Sequence, residues 1–291
     1  MELISNYMRD DKYRHMLNEL TTKVFGFDFE GWVTGGYFEG DYIPYSFLDG
    51  EKIVSNVSAN LMKFIQNGVE RNYIQIGTVM TDPNYRKQGL AAKLMECVIE
   101  DYEKDCDGIY LFGDLSAAGF YRKMGFEIIN QYRYFIKEEF CRFEKGTDAF
   151  RPIKDMDESV KKKYLDYVRS SVLHSSFEQI NKYGLQMFYT SGFDNVFYCN
   201  DLECFVVLEK EENTILQSVL CKKEVALKDV LERIESDNPK FMLGFTPIDE
   251  DKAMCTSEVY DGSDDYRLFY RGKKLESIER DKLYFPDLSH A

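Results

Sequence analysis

The chain has 291 residues, 51 acidic against 37 Lys or Arg, for a formal net charge of -14, which argues against a nucleic-acid-binding surface and for cationic partners. No run approaches the roughly 18 consecutive apolar residues of a membrane helix, and the start, MELISNYMRDDKYRHML, lacks the basic-then-apolar layout of a signal peptide, so the expected setting is soluble and cytoplasmic, away from membranes. Seven cysteines without a Cys-x-x-Cys pair and only three histidines point to neither a disulfide framework nor a metal site, and the length allows two domains of ordinary size.

Residues 11–24 place Tyr13, Met16, Leu17, Leu20 and Val24 at helical spacing. A glycine- and aromatic-rich segment follows, in which Phe25, Phe27, Phe29 and Trp32 alternate with Asp28, Glu30, Glu39 and Asp41; its glycines disfavour one long helix. Residues 42–48 read as a strand, Asp49-Gly50 as a hairpin turn and 52–65 as the return strand. Residues 73–81, rich in β-branched and aromatic side chains, form a further strand that Asp82, Pro83 and Asn84 terminate.

Then come Arg86, Lys87, Gln88, Gly89, Leu90 and Ala91, with Leu90, Leu94, Cys97, Val98 and Tyr102 at helical spacing. A strand thus feeds a helix through a tight turn. The first N–H groups of a helix lack internal partners and, with the macrodipole, make its start a site for anions. Gly89 permits close backbone approach, Ala91 keeps a second position small, and Arg86 and Lys87 add positive charge to an acidic chain. A bound polyphosphate accounts for that local basicity; the plainer alternative is an ordinary turn with surface charges. Beyond it, 109–113 reads as a short strand, Ser116 as the N-cap of a helix carrying Tyr121, and 126–137 as the next strand.

The pattern Arg-x-x-Gly-x-Ala at 86–91, followed by the segment DLSAAGFYRKMGF at 114–126, resembles the acetyl-CoA pyrophosphate loop and the next helix of the GCN5-related N-acetyltransferase (GNAT) family. The resemblance covers roughly residues 1–138. It implies an α/β (α+β) fold built on a mixed, mostly antiparallel sheet flanked by helices, with acetyl-CoA as co-substrate. Backbone groups from Arg86, Lys87, Gln88, Gly89, Leu90 and Ala91 would hold the pyrophosphate, and Val79, Met80 and Thr81 would line the pantetheine and thioester. Tyr121 falls where the family often carries the general acid that protonates the CoA sulfur, a role suited to a phenol with an ordinary pKa of about 10.

Asp28, Glu30 and Trp32 lie in the segment that in the family borders the acceptor. The central strand has no carboxylate or histidine where many members place a Glu, so one of Asp28, Glu30, Glu39 and Asp41 would take the proton, directly or through water. These carboxylates read equally well as solvated loop charges, and Trp32 with its aromatic neighbours serves as a slot for a cationic or aromatic amine or as core.

The second half opens with FRPI after the linker CRFEKGTDA. Helices are expected over 157–172 and 177–189, strands over 196–198, 204–209 and 214–221 with a turn at Glu211-Glu212-Asn213, then a helix over 226–235 and a strand over 240–246. The tail adds strand-like residues 266–270. This order suggests a diverged copy of the first fold without the CoA loop: 1–140 a catalytic domain, 141–149 a linker, 150–291 a degenerate second domain that walls the acceptor pocket or supports dimerisation. Tandem proteins resembling the enhanced intracellular survival acetyltransferases share the first half and usually add a third domain. The expected activity is acetyl transfer from acetyl-CoA to a primary amine of a small molecule or peptide by direct attack, the alternative being a non-catalytic acyl-CoA-binding or regulatory protein.

Overall fold

Asp10 accepts hydrogen bonds from the amides of Lys12 and Tyr13, and Gly26 takes φ +81°, so the amphipathic run between these two caps closes as a helix. The computed structural model describes residues 1–140, 149–236, 238 and 240–291; the expected linker lies, but for its last residue, outside them. In chain order the first half gives β1 (Glu2–Ser5), α1 (Asp11–Phe25), α2 (Glu30–Thr34), β2 (Tyr42–Asp49), β3 (Lys52–Gln66), β4 (Val69–Thr81), α3 (Leu90–Tyr102), β5 (Gly108–Gly113), α4 (Ala118–Lys123), β6 (Glu127–Ile129) and β7 (Gln131–Ile136). The second gives β8 (Arg151–Pro152), α5 (Glu158–Ser170), β9 (Ser175–Gln179), α6 (Tyr183–Thr190), β10 (Val196–Cys199), β11 (Cys204–Lys210), β12 (Thr214–Cys221), α7 (Leu227–Leu231), β13 (Phe241–Leu243), β14 (Thr246–Pro247), β15 (Cys255–Tyr260), β16 (Arg267–Arg271) and α8 (Ser277–Arg280).

Two mixed, mostly antiparallel sheets result. One runs β1-β2-β3-β4-β5-β16-β6, with β9 also on β3 and β14 on β9; the other runs β15-β7-β13-β12-β11-β10-β8. The parallel neighbours are β4 with β5 and β12 with β13. The first sheet packs α3 and α4 through Ile74, Ile76, Leu94, Val98, Leu111 and Phe126, and on its opposite face α1 through Leu17, Leu20, Ile53 and Met80. Among the described residues no helix is long and apolar enough to cross a membrane.

Three expectations are corrected. The single strand over 126–137 is two strands in different sheets: the chain breaks at Asn130, and β7 crosses to lie between β13 and β15. In return β16, from the tail, enters the first sheet between β5 and β6, where Phe269 faces Leu111 on one side and Ile128 on the other. The sheets therefore do not divide at 141–149. The reason is edge pairing: β5 and β6 present unpaired backbone groups beside a buried apolar face, and β16 satisfies both. The third correction concerns 177–189, whose first part is the strand β9 rather than helix. Phe177 is fully buried and stacks on Phe64 at 4.6 Å, so tertiary packing overrides local preference.

Candidate functional site

Parallel pairing between β4 and β5 runs only from Tyr73–Gly108 to Gln75–Tyr110, whereas β4 continues to Thr81. The strands part beyond that point. On its other edge β4 carries a bulge: Asn56 opposes Met80 and Ser58 opposes Gly77, which leaves Thr78 and Val79 opposite Val57. Thr78 takes φ +41°, a region β-branched residues rarely enter. Its hydroxyl lies 2.7 Å from the Tyr42 hydroxyl and 2.8 Å from Ser58 Oγ, and Asn56 Nδ2 donates to both its hydroxyl at 3.1 Å and its carbonyl at 3.0 Å. The network continues inward, with Ser46 donating to Asn56 Oδ1 at 2.8 Å and the Tyr7 hydroxyl 2.5 Å from Ser46 Oγ. Side chains rather than the sheet hold the bulge. Of the three residues expected to line the thioester, Met80 is buried toward α1, and Val79 and Thr81 are half-buried.

The turn after β4 is fixed from beneath by Asp82. Its side chain is fully buried and takes ion pairs from Lys52 at 2.5 Å and Lys23 at 3.0 Å, while Oδ1 accepts from the Asn84 amide at 3.0 Å. These hydrogen bonds, that of Lys52 foremost, hold its carboxyl well below the usual carboxylate range. Lys87 at φ +63° and Gly89 at φ +74° then swing the chain into α3. Arg86, Lys87, Gln88 and Gly89 are exposed, and a Cβ at Gly89 would meet nothing within 4 Å: the glycine serves the backbone angle, and the space before it is open. The first bond of the helix runs from Lys93 N to Gly89 O. Ahead of it, the amides of Leu90, Ala91 and Ala92 have no partner among the described residues. Free amides, a helix of 13 residues and two basic side chains are features that favour an anion at this turn.

Tyr121 is buried on α4, its ring 4.8 Å from Phe269 of β16 and 6.3 Å from Phe126. The missing side chain of Gly113 at the end of β5 makes room for it: a Cβ there would come 3.0 Å from the ring and 3.4 Å from the hydroxyl. Burial raises the phenol's pKa above its ordinary value, so it stays protonated at neutral pH.

A cavity of about 240 Å³ opens beside Thr78. Trp32 lines it, but Asp28 and Glu30 do not. Asp28 accepts from the Glu30 amide at 2.9 Å at the start of α2. Glu30 is gripped by Arg14 at 3.0 and 3.1 Å and by Asn18 at 3.2 Å, and the Arg14 hydrogen bond holds its carboxyl below the usual range. The carboxylates of that segment in the cavity wall are Glu39 and Asp41. Glu39 is ion-paired with Arg169 of α5. Asp41 accepts from Asn181 Nδ2 at 3.1 Å, and burial raises its pKa.

Residues from distant sequence complete the wall: Asn181, Gly184 and Phe188 at α6, and His290 from the tail. His290 Nδ1 lies 2.9 Å from the Tyr266 hydroxyl, and its Nε2 is buried without a partner among the described residues. Burial pushes the imidazole down to about 3, so it is neutral. No local pattern near 181–188 or 290 announces these roles; only the fold brings them here.

Residues 16–129 match the family model of the acetyltransferase (GNAT) domain. Three solved structures share the fold across nearly the whole chain: a probable N-acyltransferase from Enterococcus faecalis V583 (19% identity, TM-score 0.56, 95% of this chain and 74% of that one); a GCN5-related N-acetyltransferase from Kribbella flavida (16%, 0.55, 95% and 73%); and Eis1 from Mycobacterium abscessus (14%, 0.54, 92% and 72%). No curated protein matches the chain.

Proposed function

We propose, on the match of residues 16–129 to the acetyltransferase (GNAT) domain, that the protein transfers an acetyl group from acetyl-CoA to a primary amine by direct attack, without a covalent enzyme intermediate. One observation carries the reading: the anion-binding turn at Arg86–Ala91 stands at the end of the strand that parts from β5 and bulges at Thr78. The free amides at the start of α3, with Arg86 and Lys87, hold the pyrophosphate. The edge of β4 over Val79–Thr81 that β5 leaves without a strand partner receives the pantetheine arm in the manner of an added strand and directs an amide at the oxygen that becomes negative in the transition state. Acetyl-CoA supplies an activated acyl group; the amine nitrogen forms the new C–N bond as the C–S bond breaks.

Tyr121 gives its proton to the departing thiolate. Asp41, whose pKa is raised by burial, takes the proton that the ammonium must lose before it attacks. Glu30, saturated by Arg14, is left as a structural carboxylate of α2, and Asp28 as the acceptor for the first amide of that helix.

The test is a calorimetric titration with acetyl-CoA, beside Gly89→Glu. Saturable binding by the parent and none by the folded variant is expected, because the added carboxylate projects into the open space before the helix. Thiol release on adding small amines then tests turnover. Binding without release from any amine would favour an acyl-CoA sensor, and no binding by the parent would remove both readings.

A further inference from the structure

The cavity next to Thr78 constrains the acceptor, an inference that rests on the acetyl-transfer reading. Its volume is about 240 Å³; an engineered apolar cavity of about 150 Å³ takes up one benzene molecule. The space therefore suits one ring, or its aliphatic equivalent, with a short chain.

The walls are largely aromatic. Phe27, Phe29, Trp32 and Phe188 meet at centroid distances of 5.4 to 6.1 Å, mostly edge to face or tilted. Such a cage binds flat apolar bodies and favours one cation against its ring faces.

The charges in the wall are few. No lysine or arginine lines the cavity, and of the two side-chain carboxylates in its wall Glu39 is already matched by Arg169. Asp41 accepts an amide hydrogen bond from Asn181 and makes no ion pair among the described residues, Lys63 acting on it only at longer range. One ammonium can be paired here.

We propose that the acceptor is an amine on a single-ring or comparably sized apolar body, its ammonium paired with Asp41 and its body held by the aromatic cage, and that amines without such a body, linear polyamines among them, bind more weakly. The second half of the chain sets this specificity, through Phe188 on α6, Asn181 before it, and the Arg169 that neutralises Glu39.

Trp32 is the only tryptophan, so its emission reports occupancy of the cavity. The experiment titrates the protein, without acetyl-CoA, with 2-phenylethylamine, 2-phenylethanol, 1,4-diaminobutane and spermidine, reading Trp32 emission and heat in parallel. Phenylethylamine should bind saturably and about tenfold more tightly than either polyamine. Asp41→Asn should weaken phenylethylamine about tenfold, a loss proper to one charge-assisted contact, and leave phenylethanol unchanged. Phe188→Ala, which spares the charge, should weaken both aromatic ligands alike. Polyamines binding as tightly as phenylethylamine, no saturable binding of the arylamine, or a folded Asp41→Asn with parental affinity would each overturn the assignment. Since binding is read without donor or turnover, that failure is distinct from failure of the acetyl-CoA titration.

Discussion

The indole N–H of Trp32 donates to the carbonyl of Gly184 at 2.7 Å, tying α2 to α6 across the two halves of the chain. The bond is partly buried, and the closeness is built in: a Cβ on Gly184 would stand 3.3 Å from the Tyr37 carbonyl and 3.6 Å from the indole. Trp32→Phe removes the donor and with it the hydrogen bond that joins the two helices. A loss of about 1 kcal/mol is expected, seen as a melting temperature lower by roughly 2–4 °C for a chain of this size. An unchanged melt would mean that water replaces the indole N–H without cost.

Strand exchange makes a second prediction. Removing everything beyond residue 140 takes away β16, and with it Leu268 and Phe269, which are essentially fully buried; β5 and β6 become open edges and Tyr121 loses its closest aromatic neighbour. Residues 1–140 expressed alone should aggregate or melt without cooperativity in circular dichroism. A sharp, reversible transition would show instead that the first half is self-sufficient.

The same exchange marks where the sequence stops being informative. Hairpin β2–β3, strand β4, its turn and α3 follow from Asp49-Gly50, the β-branched run before Asp82, and the periodicity of Leu90, Leu94 and Val98, all of them local signals. The pairing of β16 with β5 depends on a partner more than a hundred residues away, and nothing in residues 266–270 names it. The site divides in the same way. Gly89 and Tyr121 are visible as a motif; Asp28 and Glu30 sit in the expected segment, but Arg14 on α1 captures Glu30, and only the folded chain decides that Asp41 reaches the cavity. His290 and Phe188 carry no local mark at all.

Tyr121→Phe keeps the ring and its packing on Phe269 and removes only the proton. The affinity for acetyl-CoA should be unchanged while kcat falls by about 10²-fold or more, the usual scale of general acid catalysis. Since burial raises the phenol above its ordinary value of about 10, the alkaline limb of the parent's rate profile should lie above pH 10 and be absent in the variant. Parental kcat in Tyr121→Phe would assign protonation of the thiolate to water.

Thr78 offers a test of the strained bulge. Glycine would relieve φ +41° but remove the hydroxyl that Tyr42, Ser58 and Asn56 converge on. Thr78→Ser keeps that hydroxyl and drops the branching methyl, so it should be neutral or slightly stabilising. Thr78→Val keeps the branching and orphans the buried partners, at about 2 kcal/mol or more. Urea unfolding of the pair separates the two contributions, and equal effects would place the strain elsewhere.

Asp82 links the stability of the fold to the proposed donor site, and its sign with pH is fixed. The folded-state pKa is depressed, so the stabilisation is fully present above the unfolded carboxylate value of about 3.9 and is lost as pH falls through the lower folded value. Asp82→Asn should therefore cost about 2 kcal/mol at pH 7, an amount held down because Lys23 and Lys52 are about 45% and 44% exposed and can turn to water. The gap between parent and variant should be the same at pH 5 and should shrink at pH 3. Because Oδ1 still accepts from the Asn84 amide in the variant, the turn keeps its outline but not its ionic anchor, and acetyl-CoA affinity should fall several-fold with it. A gap that is constant down to pH 3 would mean that packing of the side chain, rather than its charge, fixes the turn that precedes Arg86.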